Sequence, residues 1–397
     1  MRKIVCTVKG LSVLVLVSLT ALMLVTQVPA ALGSEMEMPM EAQGSSGGGF
    51  DWTDTLGPGN GSAYALSFGP GQTLYRGTKK GVFKFADNTW QSTEGPGSNL
   101  TVYSLAYDGS GVLYAGTLGG GVWKYEDGGW ESTGGPLYND NYLSTLSLAY
   151  DAGSGVLYAG TLGGGVWKYQ EGEWQSTEGP GSNLTIYSLA YGGNGVLYAG
   201  TEGSGVWTLQ GDNWQNTGGS ISTSSIRSLA CAGSGVLYAG TSGRGVWKYY
   251  GGTWWDTGGS VSNLNVLSLY HSEGKVLYAG TNSGVFSYNG STWQSTDGDI
   301  SGFGIPSLIC SSKDMQTVIY AGTSAFGVWK AEIYQYAVSA TVTPGDSGVV
   351  QGLGTYDQGA LVTLTANPNA GYRFLRWTEG GSEVSTDNPY SFTAEGN

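Results

Sequence analysis

Seven Gly-Thr dipeptides recur on a nearly constant period, with the glycine at Gly77, Gly116, Gly160, Gly200, Gly240, Gly280 and Gly322. The spacings are 39, 44, 40, 40, 40 and 42 residues. A tryptophan recurs on nearly the same period, at Trp52, Trp90, Trp130, Trp174, Trp214, Trp254 and Trp293. The best-preserved unit, Ser104 to Thr133, reads SLAYDGSGVLYAGTLGGGVWKYEDGGWEST. Four short strand patterns inside such a period mark a β-propeller blade. Strand a is SLAY, b is VLYAGT, c is GVWKY, and d starts at the tryptophan. The turns between them are rich in Gly and Asp, which accept the positive φ angles of tight hairpins.

The two marker sets are offset. Trp52 precedes the first Gly-Thr, whereas the last unit stops at Val328-Trp329-Lys330 with no tryptophan strand after it. Strand d of the last blade must therefore come from Asp51–Thr55, which ties the chain ends together and leaves no open sheet edge at the join. Seven of each marker predicts a seven-bladed, all-β propeller over residues 50–332, closed by that N-terminal strand, with a small β-rich module at 336–397.

Composition agrees. Seventy glycines beside 14 Trp and 26 Tyr do not describe disorder, which comes with few aromatics. Without a Gly-X-Y period, and with only 11 Pro, collagen is excluded. Most aromatics fall on fixed blade positions, so their role is packing between blades; Trp255 and Trp377 stand outside that lattice. A net charge of −13, without basic clusters, argues against nucleic acid as a partner.

The N-terminus carries Arg2, Lys3 and Lys9, then an apolar run from Leu11 to Val25 and small residues at Val28-Pro29-Ala30. Residues 1–30 thus read as a secretory signal peptide, with the run shorter than the roughly 20 residues of a spanning helix. Residues 31–49, acidic and then Gly/Ser-rich, read as a disordered linker. A secreted or cell-surface protein is expected, monomeric and without a membrane span after cleavage.

The segment Tyr125–Trp130, Y-x-D-G-x-W, with weaker copies at Tyr169–Trp174 and Tyr288–Trp293, resembles the Asp-box of sialidase-like propellers. The LYAGTxGGGVWKY half is similar to the repeats of two-component-regulator propellers and of the photosystem II assembly propeller. These resemblances imply the fold; such boxes recur in enzymes and binding proteins alike. From Gly354 to Trp377 the pattern G-x-Y-x-x-G-x-x-V-x-L-x-A-x-P-x-x-G-Y-x-F-x-x-W resembles the bacterial repeat domain of internalin B-repeat type, which implies a small β module of secreted bacterial proteins.

Chemistry is sparse. A glycosidase needs two facing carboxylates; the non-repeated ones on loops of the ligand-binding side are Asp140, Glu202, Asp297 and Asp299. A sialidase also needs an arginine cluster, and the propeller has only Arg76, Arg227 and Arg244. Cys231, His271 and Cys310 share one repeat position with tyrosines of other blades, so they read as packed replacements for Tyr, and no metal or cofactor is expected. The Gly-rich b–c turns precede no helix, so they are not phosphate loops. What remains is uneven loop decoration: Lys79, Lys80, Tyr138, Tyr142, Glu202, Arg244, Asn282 and Phe326. Aromatics beside amides and charges suit a carbohydrate or protein surface. A non-catalytic binding module is the leading reading, a polysaccharide-active propeller enzyme the alternative, and a sensor ectodomain the third.

Overall fold

The structure is a computed structural model. It describes Arg2–Ile4, Leu16–Thr20 and residues 50–394, apart from positions 56–60, 98–99, 139–140, 182, 193–194, 234, 274, 297, 314–315, 344–345 and 380. It divides into two compact units. One holds Asp51–Ser311 and Val318–Glu332; the other holds Ile333–Asn397, Ser312–Thr317 and the described residues up to Phe50.

The larger unit is built of antiparallel four-stranded sheets. The first runs Ala65–Phe68, Leu74–Thr78, Gly81–Ala86 and Thr89–Ser92, in the order a-b-c-d. Five sheets repeat it, with a strands starting at Val102, Thr145, Ile186, Ile226 and Val266. The seventh combines Ser307–Lys313, Gln316–Gly322 and the start of Val328–Thr341 with Thr53–Asp54, where Thr53 lies opposite Lys330 and Asp54 opposite Trp329. The N-terminal strand therefore closes the last blade, as the marker offset predicts.

The repeated residues make repeated bonds. Each d-strand indole donates to the threonine that ends strand d of the preceding blade, from Trp90 to Thr55 round to Trp52 and Thr296, at 2.9–3.2 Å. Each of those threonines donates in turn to the carbonyl of the valine that opens strand c of its own blade, at 2.7–3.0 Å. This double ring explains the W-x-x-T pattern: a buried indole N–H left without an acceptor would cost about 1–3 kcal/mol. The Gly of Gly-Thr lets the next blade approach. A Cβ at Gly200 would sit 2.7 Å from the Ile226 side chain.

Tyrosines stack across seams, with Tyr114 on Tyr150 at 6.3 Å and Tyr158 on Tyr191 at 6.4 Å. His271 takes the same place against Tyr238, at 6.2 Å and 11°. The lone histidine is thus a packed substitute for tyrosine. Cys231 and Cys310 stand at that repeat position outside any disulfide, and burial pushes the Cys231 thiol up to about 11. At the Asp-box-like segments, Asp127 and Gly128 both have positive φ, as do Glu171 and Gly172. Their acidic residues occupy two-residue type I′ hairpins between Glu126 and Gly129 and between Gln170 and Glu173, so turn geometry accounts for them.

In the smaller unit, Gly348–Gln351, Leu361–Pro368 and Tyr390–Thr393 form one sheet. Fully buried Trp377 anchors it, its indole donating to the Asp387 carbonyl at 2.9 Å. Leu16–Thr20 lies antiparallel to Ala337–Thr341. The rest of the expected leader and the 31–49 linker lie outside the described residues. Among those described, no helix is long and apolar enough to cross a membrane.

Candidate functional site

In five blades the pairing of strand a with strand b slips at the same point. Val102 lies opposite Thr117 and Ser104 opposite Gly116, so Tyr103 has no partner across the ladder. Leu146, Tyr187, Arg227 and Leu267 are placed in the same way. A β-bulge of this kind re-aims the unpaired side chain. Strand a is the innermost of each sheet, since successive a strands lie against one another. The bulged residues therefore decorate the inner rim of the ring. Their neighbours barely vary: a buried Val, Thr or Ile before, a Ser after. The bulged residue itself changes from Tyr to Leu to Arg. In the first blade Tyr64 occupies this place, its ring 5.3 Å from that of Tyr103.

The first residue of each b–c turn is tethered beside the bulge, because its N–H donates to the carbonyl just before strand a: Leu118 to Thr101, Leu162 to Ser144, Glu202 to Thr185, Ser242 to Ser225 and Asn282 to Asn265. Two sectors result. Tyr103, Leu118, Leu146 and Leu162, beside Tyr64 of the first blade, give the second and third blades an apolar rim, with Leu118 45% and Leu162 49% exposed, whereas the first blade carries exposed Lys79 at the matching turn position. The fourth and fifth blades are polar.

The polar sector is a connected cluster. The Arg227 guanidinium lies 4.0 Å from the Tyr187 ring centroid, and its Nε donates to Ser242 Oγ at 2.9 Å. The charges of Glu202 and Arg227 both act on the Tyr187 phenol. Burial, helped by the neighbouring Glu202, raises the Tyr187 phenol above its ordinary pKa, and Arg227 opposes the rise. The N–H of Gly203 donates to Ser225 Oγ at 3.1 Å. Tyr187 is thus held in place and stays neutral, while Arg227 remains exposed, with guanidinium donors beyond the Nε bond.

Of the sequence-predicted site residues, Glu202 belongs to this cluster. The others are spread over separate blades. Lys79 and Lys80 are exposed at the turn Thr78–Gly81 of the first blade. Tyr138 and Tyr142 lie in a small hairpin, Leu137–Tyr138 against Asn141–Tyr142, between the second and third blades. Arg244 is tied down, Nη1 donating to the Ser220 carbonyl at 2.9 Å and to Ser224 Oγ at 2.8 Å while the guanidinium caps Trp247 at 5.1 Å. Asn282 accepts from the Asn265 N–H at 3.2 Å. Phe326, 45% exposed, stacks on Phe303 at 4.5 Å.

Residues 338–397 match the family model of the divergent InlB B-repeat domain. No curated protein matches the chain. Among solved structures, the chain is similar to the extracellular domain of BT4673 from B. thetaiotaomicron, named as a hybrid two-component system, with a TM-score of 0.60 and 19% identity over 71% of this chain and 39% of that one. It is similar to the extracellular domain of BT3049 from the same organism, at 0.57 and 14%, over 85% and 49%. It is also similar to YCF48 bound to D1 peptide, at 0.54 and 15%, over 71% and 94%. The chain spans less than half the length of the two ectodomains. These likenesses establish the propeller fold.

Sequence reasoning missed Tyr187 and Arg227 as site residues, along with Tyr64 and Tyr103. The available signal was the one variable position between two nearly constant ones at the start of strand a. Of the four carboxylates considered for catalysis, Asp140 and Asp297 lie outside the described residues. Glu202 stands on the fourth blade and Asp299 on the link from the sixth to the seventh. The carboxyls that shift are elsewhere, at a–b turns. Burial works against ionising Asp108, but hydrogen bonds from Ser110, Val112 and Gly111 outweigh it and hold the group below the usual range. Asp151 is likewise held down by Ser154 and Tyr191. A general acid needs the opposite shift.

Proposed function

We propose that the chain is an exported, non-catalytic propeller that captures a carbohydrate or protein ligand at its inner rim, at or outside the cell surface. The observation that carries this reading is the row of five bulges presenting the variable residues of otherwise near-constant units. Folding asks nothing of those identities, whereas recognition does. The apolar sector would take a ring or aliphatic face. The Tyr187–Glu202–Arg227 cluster would fix a polar group against it, a combination typical of ligand sites. The basic-then-apolar N-terminus supports export. The Asp-box resemblance adds a turn, not a reaction.

A sensing role is the second reading. Two of the similar structures are named as extracellular domains of two-component systems, and a third propeller of this kind is named as bound to a peptide. Sensing would use the same rim, with the signal passed to a partner.

The test is an array of glycans, polysaccharides and peptides probed with the purified protein, scoring both retention and release of reducing sugar. Retention without cleavage, weakened about tenfold or more by Arg227→Ala or Tyr187→Phe, is the expected result. Cleavage would make the protein an enzyme. Retention indifferent to both variants would remove the rim as the site.

A further inference from the structure

The outer c–d hairpin of the fifth blade, Val246–Tyr250 with Thr253–Asp256, breaks the repeat in a way that packing does not explain. On one side of this hairpin Tyr249 and Trp254 pack at 4.9 Å, and Trp254 donates to Thr217 at 3.0 Å, as its counterparts do. The other side carries Lys248 opposite Trp255 and Tyr250 opposite Thr253. Here Trp255 is 61% and Tyr250 58% exposed. The position of Trp255 is filled by Gln91, Glu131, Gln175, Gln215 and Gln294 in the other blades. That of Tyr250 is filled by Ala86, Glu126, Gln170 and Gln210. In the second blade the pair facing out is an ion pair, Lys124 to Glu131 at 2.9 Å. The fifth blade keeps the lysine and puts an indole where the carboxylate would be.

We propose that this face is a ligand site separate from the inner rim, and that it stacks the pyranose rings of a polysaccharide. Two side chains on one face of a hairpin, in diagonal register, stand about 7–8 Å apart at the backbone, which presents two apolar surfaces in a row. Together they can bury on the order of 300–500 Å². A stable protein complex buries about 800 Å² on each partner, so the two rings alone fall short of what a protein partner needs. The patch suits a ligand that is apolar on one face and hydroxyl-rich at the edge. Lys248 and Thr253 share the face, so an ammonium and a hydroxyl stand with the rings to meet sugar hydroxyls.

Between the third and fourth blades lies a cleft of about 510 Å³ whose lining includes Lys168, Ser176, Glu178, Asp212 and Trp214. Lys248 and Asp256 hold the repeat positions of Lys168 and Ser176. The fifth blade therefore places its aromatic face beside the position that a cleft takes two blades earlier.

Affinity electrophoresis of the whole protein in gels containing xylan, laminarin, starch, carboxymethylcellulose or polygalacturonate tests this, followed by titration of tryptophan fluorescence. At least one polysaccharide should retard the protein and shift its emission. Trp255→Gln and Tyr250→Gln, residues that sibling blades already carry, should each weaken binding about tenfold with an unchanged melting temperature. The fold-loss caused by Trp255→Gln should be the same with Arg227 intact or replaced by Ala, which separates failure of this face from failure of the rim reading. Retardation by none of the five, or equal retardation of wild type and Trp255→Gln, overturns the proposal. So does a wild-type oligomer that Trp255→Gln dissolves, because the face would then be a contact between copies.

Discussion

Six of the seven seams of the propeller join blades that follow one another along the chain, whereas the seam between the seventh and first blades is closed by Thr53–Asp54, a strand of two residues. The bonds at the closing seam are copies of the others: Trp90 to Thr55 at 2.9 Å, Thr55 to the Val328 carbonyl at 2.7 Å, Ser307 to the Ala63 carbonyl at 2.9 Å. What differs is connectivity and one side chain. Arg76 stands where the second to sixth blades have the fully buried Ala115, Ala159, Ala199, Ala239 and Ala279. It is 2% exposed, its guanidinium lies over Trp90 at 4.6 Å and Phe83 at 5.1 Å, and its Nε and Nη1 have no hydrogen-bond partners. Geometry repeats around the ring while stability need not, because the same contacts are anchored differently.

Replacing Trp52 by Ala should separate the seams most sharply. Trp52 and Trp254 are both 5% exposed and make matching indole bonds. Trp254→Ala should cost about 3–5 kcal/mol, the usual range for a buried tryptophan. Trp52→Ala should cost more, because it also loosens the two-residue strand that covers the edge at Trp329. Urea denaturation of the two variants decides it; equal losses would mean that the closing strand is held as firmly as any internal one.

Alkaline pH loads the internal seams instead. Burial, followed by neighbouring charges, pushes the phenols of Tyr114, Tyr191 and Tyr238 up to about 12. Unfolded tyrosines release their protons near pH 10, so between about 10 and 12 the native state holds more protons than the unfolded one. Stability must then fall as pH rises through that window. At the closing seam the matching ring pair is Phe68 against Tyr320, edge to face at 6.0 Å, so one ring has no proton to lose. Melting temperature against pH, with tyrosinate absorbance followed alongside, should show the fall starting near pH 10, and Tyr191→Phe should shrink it. A flat profile to about pH 12 would mean that these phenols titrate alike in the folded and unfolded chain.

Arg76 offers a gain rather than a loss. Burial lowers its guanidinium pKa to about 10, opposed by Asp54, so at neutral pH the fold carries a charge it solvates poorly. The second to fifth blades pair Ala with Trp, as in Ala115 with Trp123 and Ala199 with Trp207, and the sixth pairs Ala279 with Phe286, where the first blade pairs Arg76 with Phe83. Arg76→Ala with Phe83→Trp should therefore fill the space and raise stability by about 1–2 kcal/mol. Arg76→Ala alone should gain less, because it leaves a gap. A double variant less stable than wild type would show that the cation–π contacts outweigh desolvation.

The fold was legible because its determinants are local and periodic. Gly77 and its six copies, the d-strand tryptophans and the offset of Trp52 each name a contact from spacing alone. The site was legible only in part, because a bulge is a property of two strands in register. Nothing in Ile186-Tyr187-Ser188 alone says that Tyr187 drops out of the ladder; that depends on Thr201 and Gly200 opposite. Glu202 stood out as a charge in a small neutral turn, but its partners are 15 residues before it and 25 after. Arg244 stood out in the same way and is bound to Ser220 and Ser224 instead. Loop decoration marks where a chain departs from its repeat, without separating a charge presented to solvent from one used to fasten a turn.

Glu202→Gln tests that distinction at the smallest scale. Glu202 is exposed, and its side chain meets Tyr187 rather than the frame of the blade. An exposed substitution away from caps, cores and paired buried charges changes stability by less than about 0.5 kcal/mol. Arg244→Gln, by contrast, removes two hydrogen bonds, one of them to Ser224, which is 7% exposed. It should cost about 1–2 kcal/mol. Measured together in urea, the two variants rank the rim charges: the one that costs nothing is free to serve a ligand, and the one that costs stability is part of the fold. If Glu202→Gln proved the more destabilising, the Tyr187–Glu202–Arg227 cluster would be a fastening between the fourth and fifth blades, and the ligand site would have to be sought in the apolar sector around Tyr64 and Tyr103.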